Sequence, residues 1–315
     1  MNIIITGGAG FLGSELLNNL LQQFPQIETI KVVDRIKLDS NLITNNKVHS
    51  IVADITVKED IEKIINEQTT HVFHLAAIVS SHAEEDFELG MLVNLKATHI
   101  LLECCRQANP NIRLVFSSSL AVFGGELPEQ IDYMTAMQPS SSYGTQKAIC
   151  ELLVNDYARK GFVDAVTVRL PTICIRPGVP NKAASSFVSG MIREPLKQQA
   201  SNCPVDVDLP LWVSSPNSVI KNIIHASQLD TKLLKGFRTV NLPGLKTSPK
   251  EMIECLVKIK GEPVLELISY EKDENVERIV SSWPQSMNNE KELAIGFVKD
   301  KDFNSILNAY LDTQK

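Results

Sequence analysis

The sequence predicts an α/β fold, with a doubly wound parallel sheet in its first half and a smaller C-terminal α+β lobe. Three features carry that prediction: short Val- and Ile-rich runs alternating with amphipathic segments as far as Leu170, a glycine cluster between the first run and the first amphipathic segment, and a change of rhythm beyond Leu170.

The runs are "NIIIT", "TIKVVD", "HSIVAD", "HVFHLA", "IRLVFSS" and "AVTVRL", which read as strands buried on both faces. Residues 11–23, 57–67, 84–107 and 143–160 between them carry helical periodicity, and alternation of strand and helix implies a parallel sheet. Residues 171–182 are Pro-rich and irregular, and 183–200 are helical in pattern. The tail mixes strands such as "FRTVNL" with helices near 248–260 and 302–312. Residues 1–170 are expected to form a Rossmann domain that includes the 143–160 helix. Residues 171–315 form predominantly a substrate-binding lobe, with segments free to return to the sheet.

Composition sets the bounds. Of 315 residues, 43% are hydrophobic and 22% charged, an ordinary globular balance that leaves no disordered block. A formal charge of -6 and a pI near 5.6 disfavour nucleic acid and anionic membrane as partners, leaving a small molecule. The start, "MNIIITGGAG", has no signal-peptide pattern, and no apolar run reaches membrane-spanning length, so a cytoplasmic protein is expected. The six cysteines form no C-x-x-C pair and no His/Cys ligand cluster; they read as small buried hydrophobes, and no metal is expected.

"IIITGGAGFLG" places Gly7, Gly10 and Gly13 directly after the first strand and at the start of the first helix. Glycine suits a backbone that turns sharply against a pyrophosphate, whose charge the N–H groups of the helix start stabilise. The second strand ends at Asp34, where a carboxylate accepts from adenosine ribose hydroxyls and repels a 2'-phosphate, favouring NAD over NADP. Arg35 follows and leaves room for a phosphate contact.

"SSYGTQKA" sets Tyr143 and Lys147 four residues apart, on one face of a helix. An ammonium beside a phenol favours phenolate, lowering a pKa of about 10 toward the range of a useful base. On spacing alone, a surface pair is the plainer reading.

Through "TGGAGFLG", Ala53-Asp54, "HLAA" at 74–77, Asn94, "SSS" at 117–119 and the Tyr143/Lys147 pair, the chain resembles the extended short-chain dehydrogenase/reductase family, NAD-dependent epimerase/dehydratase type, over at least residues 1–180. The resemblance implies that Tyr143 is the acid/base, that Lys147 lowers its pKa and holds the nicotinamide ribose, and that Ser119, with Ser118 as the alternative, bonds the reacting oxygen. It also implies that Phe11 and Leu12 join the glycines at the cofactor, that Asp54 and Ile55 border the adenine, that Leu75, Ala76 and Ala77 line the cleft, and that Asn94 packs near it. Two features of the largest branches are missing. Thr172 stands where nucleotide-sugar enzymes commonly carry Asn, and "SSSLAVFGG" lacks the carboxylate of the dehydratases.

The second half, through "VRLPTICIRPGVPNKAASSFVSGMIREPL", "CPV" and "LWVSSPNSVI", is most similar to the D-erythronate dehydrogenase group of that family. That likeness implies oxidation of the 2-hydroxyl of a short sugar acid by NAD, D-erythronate giving 2-dehydro-D-erythronate. Such an acid needs a cation for its carboxylate and hydrogen-bonding groups for its hydroxyls. Arg176, Asn181, Lys182, Ser185, Ser186 and Arg193 are candidates, each with a surface position or helix cap as its plainer role. Other readings are an NAD-dependent nucleotide-sugar epimerase and a non-catalytic NAD(P)-sensing protein; a steroid or flavonoid reductase suits Asp34 and the polar 176–193 segment poorly. His74 reads as structural, His82 as a loop residue and Trp212 as a packing aromatic or pocket wall. A homodimer through 84–107 and 143–160 is allowed.

Overall fold

The computed structural model describes residues 1–43, 45–179 and 183–314. Its first half runs β1 (Asn2–Thr6), α1 (Phe11–Gln23), β2 (Thr29–Asp34), β3 (Val48–Val52), α2 (Lys58–Ile64), β4 (His71–His74), α3 (Ser80–Glu85), α4 (Phe87–Gly90), a widened turn (Met91–Lys96) leading into α5 (Ala97–Ala108), β5 (Arg113–Ser119), α6 (Ser142–Arg159) and β6 (Asp164–Leu170). The remainder runs β7 (Thr172–Ile173), α7 (Ser186–Leu196), β8 (Ser201–Asn202), β9 (Leu211–Ser214), α8 (Pro216–Gln228), β10 (Thr239–Asn241), β11 (Leu245–Thr247), α9 (Pro249–Lys260), β12 (Ile268–Ser269), α10 (Glu274–Ser281), α11 (Glu290–Ala294) and α12 (Phe303–Asp312).

Seven strands pair in parallel in the order β10-β6-β5-β4-β1-β2-β3. The strand period of two assigns the faces. Ile3 and Ile5 of β1 pack with Leu16, Leu17 and Leu20 of α1 and with Val219, Ile220 and Ile223 of α8. Ile4 points the other way, into Ile61 of α2, Leu101 and Leu102 of α5, and Cys150 and Val154 of α6. The sheet is thus covered on both sides, as the apolar runs require.

Periodicity placed α1, α6, α9 and α12 to within a residue or so, but α8 carries no expectation from the sequence. It starts at a capped Ser-Pro: Ser215 Oγ accepts from Ser218 N–H, and Pro216 fills the first turn, where its missing N–H costs nothing. The "FRTVNL" strand is β10, which leaves the later segment to pair with β6 at the sheet's edge. The lobe itself holds the small sheet β11-β9-β7 and the pair β12-β8 around a core that includes Val188, Met191, Met252, Leu256, Ile306 and Leu307. Among the described residues, no helix is long and apolar enough to cross a membrane.

Candidate active site

Two adjoining cavities open at the carboxyl edge of the sheet, where strand order reverses between β1 and β4. The first, of about 460 Å³, is lined by Gly7, Gly10, Phe11, Leu12, Gly13, Asp34, Asp54, Ile55, Leu75, Ala76 and Ala77, so most residues expected at a cofactor share one cleft. Gly7 has φ +70, and a Cβ there would stand 2.7 Å from the Ala76 backbone. Its N–H donates to Val33 O at 2.9 Å, tying the turn to the end of β2. Only glycine fits between these strand ends.

Beyond the turn, α1 begins at Gly10 with no side-chain cap and no acidic residue in its first turn. The N–H groups of Phe11, Leu12 and Gly13 therefore offer positive partial charge to the cleft with no acceptor among the described residues, whereas that of Gly10 donates to Gly7 O at 3.2 Å. Across the cleft, Asp34 Oδ2 accepts from Ala9 N–H at 3.1 Å, which fixes the carboxylate relative to the glycine turn. Asp54 accepts from Thr56 N–H and Oγ1–H at 2.9 and 2.7 Å; these bonds, with Arg35 3.9 Å away, hold its carboxyl below the usual range. A glycine turn, bare helix N–H donors and a fixed carboxylate at the second strand's end fit a dinucleotide.

Asn94 is placed differently from a lining residue. It is buried, its Oδ1 accepts from Ile78 N–H at 2.8 Å, and its Nδ2 donates to Ile78 O at 3.1 Å and Gln146 Oε1 at 2.7 Å. It reaches the cleft only through Ile78, which does line it. His74 is structural in the expected sense. Thr98 Oγ1 donates to Asn94 O at 2.6 Å and so accepts from His74 Nε2–H at 3.0 Å, leaving Nδ1 to accept from Thr6 Oγ1–H at 2.7 Å. Burial, and then Lys147, push this imidazole down to about 3.

The second cavity, of about 200 Å³, shares Leu12, Leu75, Ala77, Ile173 and Arg176 with the first and adds Ser117, Ser118, Ser119, Tyr143, Lys147 and Thr172. Helix α6 reaches it because Gly144 lies against the turn after β5, where a Cβ would stand 2.0 Å from Ala121 O. Ser141 Oγ caps α6 by accepting from Gly144 N–H at 3.1 Å. Tyr143 is then hydrogen-bonded to Ser119, whose Oγ also accepts from Ala121 N–H at 3.1 Å. Ser118 turns away: its Oγ donates to Glu151 Oε1 at 2.5 Å. The serine beside the tyrosine is Ser119.

Electrostatics correct one expectation. Lys147 was expected to lower the Tyr143 pKa, yet burial pushes this phenol up to about 12, and only the Ser119 hydrogen bond opposes it. The ammonium is engaged elsewhere. It donates to Ser117 O at 2.7 Å, lies 4.7 Å from the Phe116 ring centroid and 5.8 Å from that of Tyr143. Burial brings Lys147 itself down to about 8, against the pull of Cys150 and Glu151.

Behind this pair lies a charge network with no mark in the sequence beyond the spacing of 147 and 151. Glu151 is fully buried, and Arg169 Nη2 donates to its Oε2 at 2.7 Å and Nε to its Oε1 at 3.0 Å. Arg169 Nη1 donates to Asn241 Oδ1 of β10 at 3.1 Å.

The acid-binding candidates separate. Arg176 borders both cavities; its Nη2 is buried with no partner among the described residues, and burial lowers its pKa. Arg193 lines the first cavity but is occupied, donating to Arg176 O at 2.8 Å and Glu194 Oε1 at 2.5 Å, so it positions Arg176. Ser185 lines the second cavity and Ser186 the first. Asn181 and Lys182 lie outside the described residues. His82 borders neither cavity. Trp212 is packed against Gly244 and borders neither, whereas Trp283, unmarked by any motif, lines the second.

A family model described as the NAD dependent epimerase/dehydratase family matches residues 3–212. The chain belongs to that family. This bears out the resemblance read from the glycine turn and the Tyr/Lys pair, and NAD is the family's cofactor. Over 315 residues the chain is 50% identical to a D-erythronate dehydrogenase of Haemophilus influenzae, covering 99% of each. Over 320 residues it is 44% identical to a D-erythronate dehydrogenase of Cupriavidus necator, covering 99% of this chain and 98% of that one. Among solved structures it is similar to the nucleoside-diphosphate-sugar epimerase from Agrobacterium tumefaciens, with TM-score 0.92 and 37% identity over 99% of this chain and 94% of that one.

Proposed function

We propose that the chain is an NAD-dependent dehydrogenase that oxidises the 2-hydroxyl of a short sugar acid, D-erythronate giving 2-dehydro-D-erythronate. Both full-length relatives bear that activity in their names, and one feature of the site carries it: Arg176, a partly buried guanidinium with no carboxylate partner among the described residues, borders the cavity that holds Tyr143 and Ser119. A buried cation without an anion is costly unless a ligand supplies one.

In this reading Gly7, Gly10, Gly13 and the first turn of α1 hold the pyrophosphate, and Asp34 holds the adenosine ribose. When bound, NAD supplies the hydride acceptor for carbon 2 and a positive charge that favours phenolate over phenol. Tyr143 takes the proton of the 2-hydroxyl while Ser119 holds the same oxygen. Arg176 fixes the carboxylate, so carbon 2 has one address, and Lys147 keeps the helix face against Ser117. Residues 1–170 carry the cofactor, and 171–315 close the acid's side. The six cysteines are unpaired and buried, as suits the cytoplasm's reducing conditions.

The deciding experiment follows NADH absorbance with NAD and a panel of four- to six-carbon sugar acids, beside nucleotide sugars. NADH formation from D-erythronate is expected. The Agrobacterium structure's name favours a second reading, a nucleotide-sugar epimerase; conversion of a nucleotide sugar without net NADH, and silence with every acid, would move the protein there. Arg176→Gln should raise KM for the acid by about 10- to 150-fold, the worth of a charged hydrogen bond, while leaving KM for NAD within about threefold. An unchanged KM for the acid would place the carboxylate elsewhere.

We further infer that two copies pair through the outer faces of the helices, where Leu92, Ile149 and Leu152 stand exposed. Light scattering should then give twice the chain mass, and a monomer at micromolar concentration would refute the pairing.

A further inference from the structure

Among the described residues, the second cavity is built almost wholly from the stretch between Leu12 and Ser185, and Trp283 is its one wall from the last part of the chain. Among the described residues it is also the only aromatic there besides Tyr143. We propose that Trp283 sets the length of acid accepted, by closing the space that remains once Arg176 has taken the carboxylate and Tyr143 the 2-hydroxyl. The inference rests on the reaction proposed above and goes on to name what limits its substrate.

Size and rigidity carry the argument. About 200 Å³ is below the roughly 300–1,000 Å³ common for drug-sized ligands, so this cavity suits a small polyol acid. The other walls near the reacting groups are rich in hydroxyls, from Ser80, Ser119, Thr172 and Ser185, and these accommodate a hydroxylated chain by hydrogen bonding. An indole ring cannot adapt in that way. It presents a flat apolar face suited to the C–H side of a polyol, and its bulk excludes further carbons.

The ring is also held in place. Trp283 is only 8% exposed, and its backbone N–H donates to Val280 O at 3.2 Å, fixing the main chain from which the ring projects. Just beyond it, Ile131 N–H donates to Ser286 O at 3.0 Å and Asn288 N–H donates to Ile131 O at 2.8 Å. Asn289 Nδ2 then donates to Asn241 O at 2.9 Å, at the end of β10. The segment bearing Trp283 is thereby fastened to the sheet that bears the catalytic groups. A wall tied to the frame of the site acts as a fixed stop.

Trp283→Ala and Trp283→Phe should be compared with wild type for kcat/KM on four-, five- and six-carbon sugar acids. The ratio for the six-carbon over the four-carbon acid is expected to rise at least about tenfold in Trp283→Ala and less in Trp283→Phe, in line with what one or two extra carbons are worth in a closed pocket. A ratio within about twofold of wild type in both variants would overturn the assignment. A second readout is independent of turnover and survives poor folding of the alanine variant. The chain has two tryptophans, so Trp212→Phe leaves Trp283 as the sole indole emitter. Its emission should shift as D-erythronate is added in the presence of NADH. Emission that stays constant at acid concentrations that saturate turnover overturns the proposal. Wild-type protein that oxidises no acid removes the reaction, and this inference with it; a normal acid oxidation with an unmoved ratio removes only the role of Trp283.

Discussion

A Tyr143→Phe protein is expected to lose at least about a thousandfold in turnover while its affinity for NAD stays within about threefold, because in the proposed reaction the phenol oxygen beside Ser119 accepts the proton. The ring stays, so the packing of α6 against the sheet does not change. The pH profile adds a sharper test. Burial holds the phenol at about 12, so the phenolate fraction is small near neutrality and grows about tenfold per pH unit below that value. Acid oxidation by the wild type should therefore climb with pH, flattening only as the phenol ionises in the ternary complex. That climb should be absent in the variant. Wild-type rates from Tyr143→Phe would remove the assignment outright.

The largest stability effect is expected at Glu151. Removing its carboxylate with Glu151→Ala leaves the Arg169 guanidinium buried over the Phe123 ring with Asn241 Oδ1 as its one remaining hydrogen-bond acceptor among the described residues, and leaves the Ser118 hydroxyl without its acceptor. Breaking a buried pair from one side costs about 3–5 kcal/mol, since the remaining charge stays desolvated. Urea unfolding followed by far-ultraviolet circular dichroism should show the midpoint falling sharply at an unchanged slope. A midpoint within error of wild type would mean that water reaches Arg169 and that the pair is not closed. The same variant should lower turnover, because Glu151 sits one helical turn beyond Lys147 and ties that helix face to the strand carrying Ser117, Ser118 and Ser119.

Local chemistry made much of this molecule legible. The apolar strands and the helical periodicity between them gave the layered sheet, and "TGGAGFLG" together with Asp34 marked one cleft, since glycine spacing and a strand-end carboxylate act over a few residues. The Tyr143/Lys147 spacing was legible as a shared helix face. Its electrostatic consequence was not, because a side chain four residues away can be committed to a third group, here Ser117 O. Arg176 and Arg193 looked alike in sequence, and only the fold shows that one holds the other's carbonyl. Trp283 was invisible for the same reason: an aromatic in a segment without periodicity becomes a wall only through contacts at residues 131 and 241, far off along the chain.

β10 changes how the order of synthesis relates to a finished active site. Every group that touches the acid or NAD in the proposed reaction, apart from Trp283, has been made by residue 193, yet β6 still lacks its outer neighbour and Arg169 Nη1 its acceptor on Asn241. The edge of the sheet next to the catalytic strand stays open until residues 239–241 emerge, and an open edge invites pairing with another chain. A nascent chain stopped between these points carries a complete set of reacting groups on an unfinished frame. The last third of the chain therefore acts as the clasp that closes the first.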